Sequence, residues 1–476
     1  MSESSKRTAI SGVKWTVIQQ IASQAISLGL VILLGKILSP KDYGLLGMVY
    51  FIFTISNVLL DSGFSSSLIR NPSATSKHFS VVFNYNLIMG IALYMVVFLI
   101  APAVANFFSQ PILKNIVRIY GLTILVGAFS TTQQAYLSKT LQFKSLAICT
   151  LVSSLLGATV GVVAALCQLH VWSLVLTTLV TGGVNMVMLW SYSSWFPRFF
   201  LFDSIIFKLH FKFGYKLTIT NLIDGVSRSF VNIVLGRLFT PTIVGYYSRS
   251  ESLKNIIVNV IGNTISKVSI PVLSSEQDSL QFSVKYKILI DTIMYITFPI
   301  FIFVAAYARE IILLIFTDEW LSMVFYLQAL ALAGAFYPVT SANFNSLIIK
   351  GRSDLVLKAN SINKLLLLTL IGLSVIYKSI TLLLICLMVF AIAEYIISAI
   401  FAAKFTNYPF LRQGKQIIKV LLPILFIPLI RFTVTQITDM TVLILGISSI
   451  VFMLIMMVYI YLCDRKLLNF IKSILH

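Results

Sequence analysis

Apolar runs of about 20 residues follow one another along the whole chain, parted only by short polar segments. A helix of that length matches the hydrocarbon thickness of a bilayer. Hydrocarbon offers no partner to a free peptide group, so a run spanning it must satisfy its hydrogen bonds internally, as a helix does. Fourteen spans are predicted, centred near Ser27, Ile55, Ala92, Leu125, Leu156, Val180, Phe230, Val258, Thr297, Ala335, Leu367, Phe390, Ile427 and Val451. Those near Phe230 and Val258 are the most interrupted by charge. Composition agrees: 58% of the 476 residues are hydrophobic, 11% are charged, and mean hydropathy is +0.94. A soluble domain is about 45–50% apolar and about 25% charged, so water-soluble enzymes, secreted scaffolds and disordered chains are excluded.

The formal net charge is +20, from 36 Lys and Arg against 16 Asp and Glu. Nucleic acid is not the expected partner, because the cations sit in short loops and form no stripe interleaved with aromatics. They report topology instead. With the N-terminus in the cytoplasm, 24 basic residues fall on inside segments, eight outside and four within spans. This bias alternates loop by loop, as the positive-inside rule requires, and predicts that both termini are cytoplasmic. Four cysteines, Cys149, Cys167, Cys386 and Cys463, form no CxxC, so neither a disulfide framework nor a metal site nor any cofactor is expected. The polar start, Met1 to Lys14, leads into an apolar run with no small-residue cleavage site, which reads as a retained first helix. The segment Phe199 to Gly214 is too short and too charged to span, with Asp203, Lys208, His210 and Lys212 among its apolar residues. It is predicted to be an interfacial helix over residues 199–212, on the cytoplasmic face.

The chain repeats itself. LGKILSPKDYGLL, from Leu34, matches LGRLFTPTIVGYY, from Leu235, so that Gly35, Pro40 and Gly44 align with Gly236, Pro241 and Gly245. GVKW at Gly12 matches GYKL at Gly214, and VGAF ending at Phe129 matches AGAF ending at Phe336. The expected architecture is an all-α polytopic membrane protein with two parallel six-helix lobes, 1–198 and 213–405, around a central cleft. Residues 406–476 add two C-terminal helices and a cytoplasmic tail. In each lobe the PxxxG motif is read as a tight turn, Pro stopping the helix and Gly allowing the chain to reverse.

SGVKW, LSPKDYGLLGMVYF and LLDSGFSSSLIR closely resemble the opening of polysaccharide-transporter flippases of the Wzx type, within the multidrug/oligosaccharidyl-lipid/polysaccharide (MOP) superfamily. GRLFTPTIVGYYSRSESLKN, FTDEWLSMVFYLQALAL and the GRSDL loop are similar to its colanic-acid, WzxC-like branch. The resemblance implies movement of undecaprenyl-pyrophosphate-linked oligosaccharide units from the cytoplasmic to the periplasmic leaflet of a bacterial inner membrane. It implies alternating access between two lobes, driven by an ion or substrate gradient, for O-antigen, capsule or exopolysaccharide. The implied partners are the lipid-linked substrate, membrane lipids, a polysaccharide polymerase and a chain-length regulator.

A charge at the bilayer centre costs about 2.5–3.5 kcal/mol on insertion scales, so it faces a cavity or a partner. Asn221, Asp224, Arg228 and Asn232 share one helical face of the seventh span, and Arg249, Glu251 and Lys254 follow on the eighth. The aligned positions of lobe one are uncharged, so the cations belong to lobe two. Arg228, Lys254, Arg249 and Lys364 are candidates for the diphosphate, since guanidinium and ammonium groups suit phosphate oxygens. The bland alternative is pairing across one turn, Asp224 with Arg228 and Glu251 with Lys254. Gln133, Gln134 and Asn84 are candidates for sugar hydroxyls, against the commoner role of tying helices together, and Asn221 and Asp61 are further candidates to line the cleft. Asp224 and Glu394 are candidate ion-coupling carboxylates. Gly157 and Gly161 form a GxxxG read as packing, and Pro299, Pro338, Pro423 and Pro428 are read as bends. No enzyme motif occurs: the histidines are scattered and the outer acids Glu310, Asp318 and Glu319 sit in a short segment. The competing reading is an ion-coupled drug or metabolite exporter of the same superfamily.

Overall fold

The computed structural model describes residues 3–274, 279–438 and 440–463. Its regular secondary structure is helical throughout, with no strand among the described residues. The chain divides into two compact units, Met1–Ser248 and Arg249–His476.

Unit 1 holds α1 (Glu3–Ile37), α2 (Pro40–Asp61), α3 (Phe64–Arg70), α4 (Ser76–Phe107), α5 (Leu113–Tyr120), α6 (Leu122–Lys139), α7 (Phe143–Leu166), α8 (Val171–Tyr192), α9 (Ser204–Leu238) and the start of α10 (Pro241–Ser274). α7 lies closest on α8, where the predicted GxxxG is used for packing. A Cβ on Gly157 would stand 1.9 Å from Thr181 Oγ1, and one on Gly161 would stand 1.9 Å from Thr177 Oγ1. α1 packs on α7, α4 on α6, and α2 on α9.

Unit 2 continues with α11 (Ser279–Ala306), α12 (Ala308–Ile315), α13 (Met323–Gly334), α14 (Tyr337–Ile349), α15 (Ser353–Ile376), α16 (Ile380–Thr406), α17 (Phe410–Leu421), α18 (Ile427–Ile437) and α19 (Thr441–Cys463). Its core gathers Tyr286, Phe301 and Tyr307 from α11 and its end, Ala331 from α13, Tyr395 from α16 and Phe452 from α19. α18 and α19 pack on each other and join this core through α11 and α12.

Among the described residues, twelve helices or helix pairs are long and apolar enough to cross a membrane. The two predicted spans missing from that set are those on α9 and α10, whose Asp224, Arg228, Arg249, Glu251 and Lys254 lower their hydropathy. Both are nonetheless continuous helices of 35 and 34 residues.

Three local expectations are corrected. Residues 199–212 are not a separate interfacial helix: 199–203 are irregular, and from Ser204 the chain is already α9, running to Leu238 without a break. Asp203 starts that helix, its Oδ1 accepting from the Ile205 and Ile206 amides at 2.9 and 3.2 Å. The PxxxG glycines are not turn residues either, because Gly44 and Gly245 lie inside the first turns of α2 and α10. Pro338, Pro423 and Pro428 do more than bend their spans, since each stands at the start of a new helical segment, α14, a 3-10 turn over Leu422–Phe426, and α18. Pro299 remains inside α11.

Candidate functional site

The two copies of the repeated motif lie against each other within unit 1. Pro40 opens α2 behind a capping box in which the Asp42 carboxylate accepts from the Ser39 amide at 3.1 Å and its hydroxyl at 2.7 Å. Four residues on, a Cβ at Gly44 would fall 1.7 Å from the Pro241 carbonyl oxygen. Reciprocally, a Cβ at Gly245 would fall 1.9 Å from the Pro40 carbonyl oxygen. No side chain fits at either place, so glycine is required for two backbones to touch. The contact runs on along α9. A Cβ at Gly236 would strike Met48 and Phe108, and one at Gly214 would lie 2.2 Å from Ser62 O, beside Gly63 with its left-handed φ of 69°. α9, first helix of the second repeat, is thereby seated on α2 from Gly214 to Gly236.

The polar candidates of unit 1 are largely committed to the fold. Asn84 donates from Nδ2 to the carbonyls of Arg198 and Leu201, both at 2.9 Å. Gln133 is fully buried and donates to Trp195 O at 3.4 Å, whereas Gln134 beside it is exposed. Asp61 caps α3, accepting from the Ser65 amide at 3.2 Å and its hydroxyl at 2.5 Å. Asn221 is exposed and Asp224 half-buried on α9, while Asn232 is buried. The Arg228 side chain lies outside the described residues.

In unit 2, Arg249, Lys254, Lys364 and Glu394 are each half-buried, and none is a free charge. The Lys254 stem lies across Gly334 of the second GAF motif, where a Cβ would stand 2.9 Å from Lys254 Cγ. The absence of a side chain at Gly334 thus makes room for the aliphatic part of the lysine. In unit 1 the equivalent glycine, Gly127, faces Leu60 and the exposed Asn57 instead. The cationic residue is an addition to the second repeat.

Three buried polar groups, Asp291, Glu310 and His210, have partners that the sequence reading did not assign. Asp291, on α11, accepts from the Tyr408 hydroxyl at 2.6 Å, inside a network where Tyr286 donates to Asn343 at 2.5 Å and Asn343 to Ser398 at 3.0 Å. An acid twelve residues past the start of an apolar helix was detectable by the same charge-cost argument that singled out Lys254. Glu310 pairs with Arg431 of α18 at 2.7 Å, which ties α12 to the C-terminal helices. No spacing links residues so far apart. His210 is fully buried, with Nδ1 2.8 Å from Ser67 Oγ and its ring edge-on to His78 at 5.5 Å. Burial, then the neighbouring His78 and Lys139, push its pKa down to about 4. Close by, Lys77 bonds the Asp203 carboxylate at 2.6 Å and, with the helix-start amides, holds its pKa below the ordinary aspartate range.

An all-helical chain with many spans, its two motif copies joined by reciprocal glycine contacts, has the fold of the MOP superfamily. Among solved structures, the lipid II flippase MurJ in an inward closed conformation superposes with a TM-score of 0.77, at 16% identity, covering 95% of this chain and all of that one. An inward-facing multidrug resistance MATE transporter of the MOP superfamily gives 0.63 at 15% identity, over 83% of this chain and 99% of that one. A family model described as polysaccharide biosynthesis protein matches residues 33–325, and the chain belongs to that family. It is 23% identical to the teichuronic acid biosynthesis protein TuaB of Bacillus subtilis over 73% of this chain and 72% of TuaB. It is also 23% identical to the lipopolysaccharide biosynthesis protein WzxC of Escherichia coli, over 75% of this chain and 73% of WzxC.

Proposed function

We propose that this protein is a flippase that carries polyprenyl-diphosphate-linked oligosaccharide units from the cytoplasmic to the outer leaflet of a bacterial inner membrane, for surface polysaccharide. The observation that carries the reading is the set of half-buried cations, Arg249, Lys254 and Lys364, in a polysaccharide-biosynthesis chain with a transporter fold. A diphosphate brings anionic charge into a helical bundle, and desolvated cations are the complement it needs. Arg228 is proposed to join them from α9. Glu394 and Asp224 are the proposed ion-coupling carboxylates, and the two lobes of the repeat, 1–198 and 213–405, are the proposed moving parts. A polymerase and a chain-length regulator would take the product onward. The MATE likeness supports one second reading, an ion-coupled exporter using the same acids.

A deletion strain tests the choice. The expected result is loss of surface polymer with lipid-linked oligosaccharide accumulating in the membrane, reversed by the wild-type chain and poorly by Lys254→Ala. Normal polymer together with drug sensitivity would overturn the flippase reading in favour of the exporter.

A further inference from the structure

Unit 1 has an open apolar groove on the flank of two membrane-spanning helices. Phe129 of α6 and Met186, Val187, Trp190 and Ser191 of α8 line a cavity of about 520 Å³ that is open on one side. Its back wall is fixed, because the Trp190 indole donates to Phe129 O at 3.0 Å and its ring meets Phe83 at 5.8 Å. Its rim is aromatic. Phe196 lies 6.0 Å from Trp190, and Phe199 lies 5.8 Å from Phe83. This rim is built rather than loose: Ser80 accepts from the Arg198 amide, and Asn84 holds the carbonyls of Arg198 and Leu201. Holding the backbone in that way turns the phenyl rings outward, where water would penalise them and hydrocarbon would not.

The chain that carries the aromatic rim also carries a cation. Lys77 is paired with Asp203, Lys139 bonds the carbonyls of Leu68 and Asn71, and Arg70 lies over the Phe213 ring. Arg198, two residues from Phe196, is exposed, and its guanidinium makes no such contact among the described residues. An apolar groove in spanning helices, with an exposed guanidinium two residues along the chain from its aromatic rim, matches an amphiphile with a long hydrocarbon chain and a phosphate head.

We infer that this α6–α8 groove seats the polyprenyl tail of the lipid-linked substrate, with Arg198 on the diphosphate. The inference rests on the flippase reading and adds a docking place on the flank of unit 1, apart from the cations of unit 2. The groove is tested with a benzophenone amino acid at position 187 of the full chain, in proteoliposomes of phosphatidylethanolamine and phosphatidylglycerol doped with undecaprenyl diphosphate. Irradiation is expected to trap the polyprenyl lipid in excess over its share of the membrane, and Arg198→Gln to reduce that trapping about tenfold. Val187→Trp, which fills the groove from its exposed edge, is expected to lower surface polymer in cells without changing the thermal stability of the purified protein. Trapping of bulk phospholipid only, in proportion to abundance, or full polymer with Val187→Trp, would overturn the groove. Normal polymer in the deletion strain would instead overturn the flippase reading itself, so the two failures are distinct.

Discussion

At the scale of residues, the decisive positions are those where a side chain cannot exist. Gly44→Ala places a methyl 1.7 Å from the Pro241 carbonyl oxygen, so either the helices part or the variant misfolds. Export of polymer is expected to fall at least several-fold with Gly44→Ala or Gly245→Ala. Gly183→Ala, at a glycine with nothing within 4 Å of its added Cβ, is the control. It should leave export intact and stabilise its helix by about 0.5–1 kcal/mol in a thermal melt. His210 gives a pH signature. The unfolded chain takes up its proton near pH 6.5, but the buried ring does so only near 4, so stability should decline as pH falls through that window. His210→Gln should flatten the part of the melting profile that lies there, and an unchanged slope would refute the assignment. The sequence showed which residues were unusual but not how they were used. Asn84 and Asp61 looked like cleft residues and are spent on a loop and a helix start. Asp291 was passed over although the cost of burying it is the same as for the lysines.

At the scale of elements, length and hydropathy made most helices legible, because a bilayer leaves a run of 20 apolar residues little alternative. Continuity was less legible. α9 reads as a charged segment followed by a span, yet Asp203 caps a single helix through both, and its polar first turns are held by contacts with α2 and α3. A local pattern does not contain such contacts. The C-terminal helices show the same limit, since they are fastened by Glu310 and Arg431, 121 positions apart. Arg431→Met strands a nearly buried carboxylate. It should lower stability by about 1–2 kcal/mol, less than a fully buried pair would lose because Arg431 is partly exposed. Adding Glu310→Gln should restore much of the loss in a double-mutant cycle, and strict additivity would show that the pair does not couple.

At the scale of the whole molecule, the repeat was the most informative feature of the sequence, and the structure gives its markers a physical meaning. Pro40 with Gly44 and Pro241 with Gly245 meet one another, which explains why both copies keep the same two residues at the same spacing. The second GAF motif seats Lys254, a cation with no counterpart in the first repeat, and this asymmetry is the feature that a diphosphate cargo accounts for. The compact units divide at Ser248, inside α10, because α9 packs on α2 whatever repeat it belongs to. The central claim, that this chain moves lipid-linked oligosaccharide between leaflets, is met most directly in reconstituted proteoliposomes. The fraction of an undecaprenyl-diphosphate oligosaccharide open to an externally added glycosidase would be followed with time. The fraction shielded in the inner leaflet is expected to become accessible with the wild-type protein and to stay shielded with Gly44→Ala or Lys254→Ala. Equal accessibility with wild-type protein and protein-free vesicles would contradict the central claim.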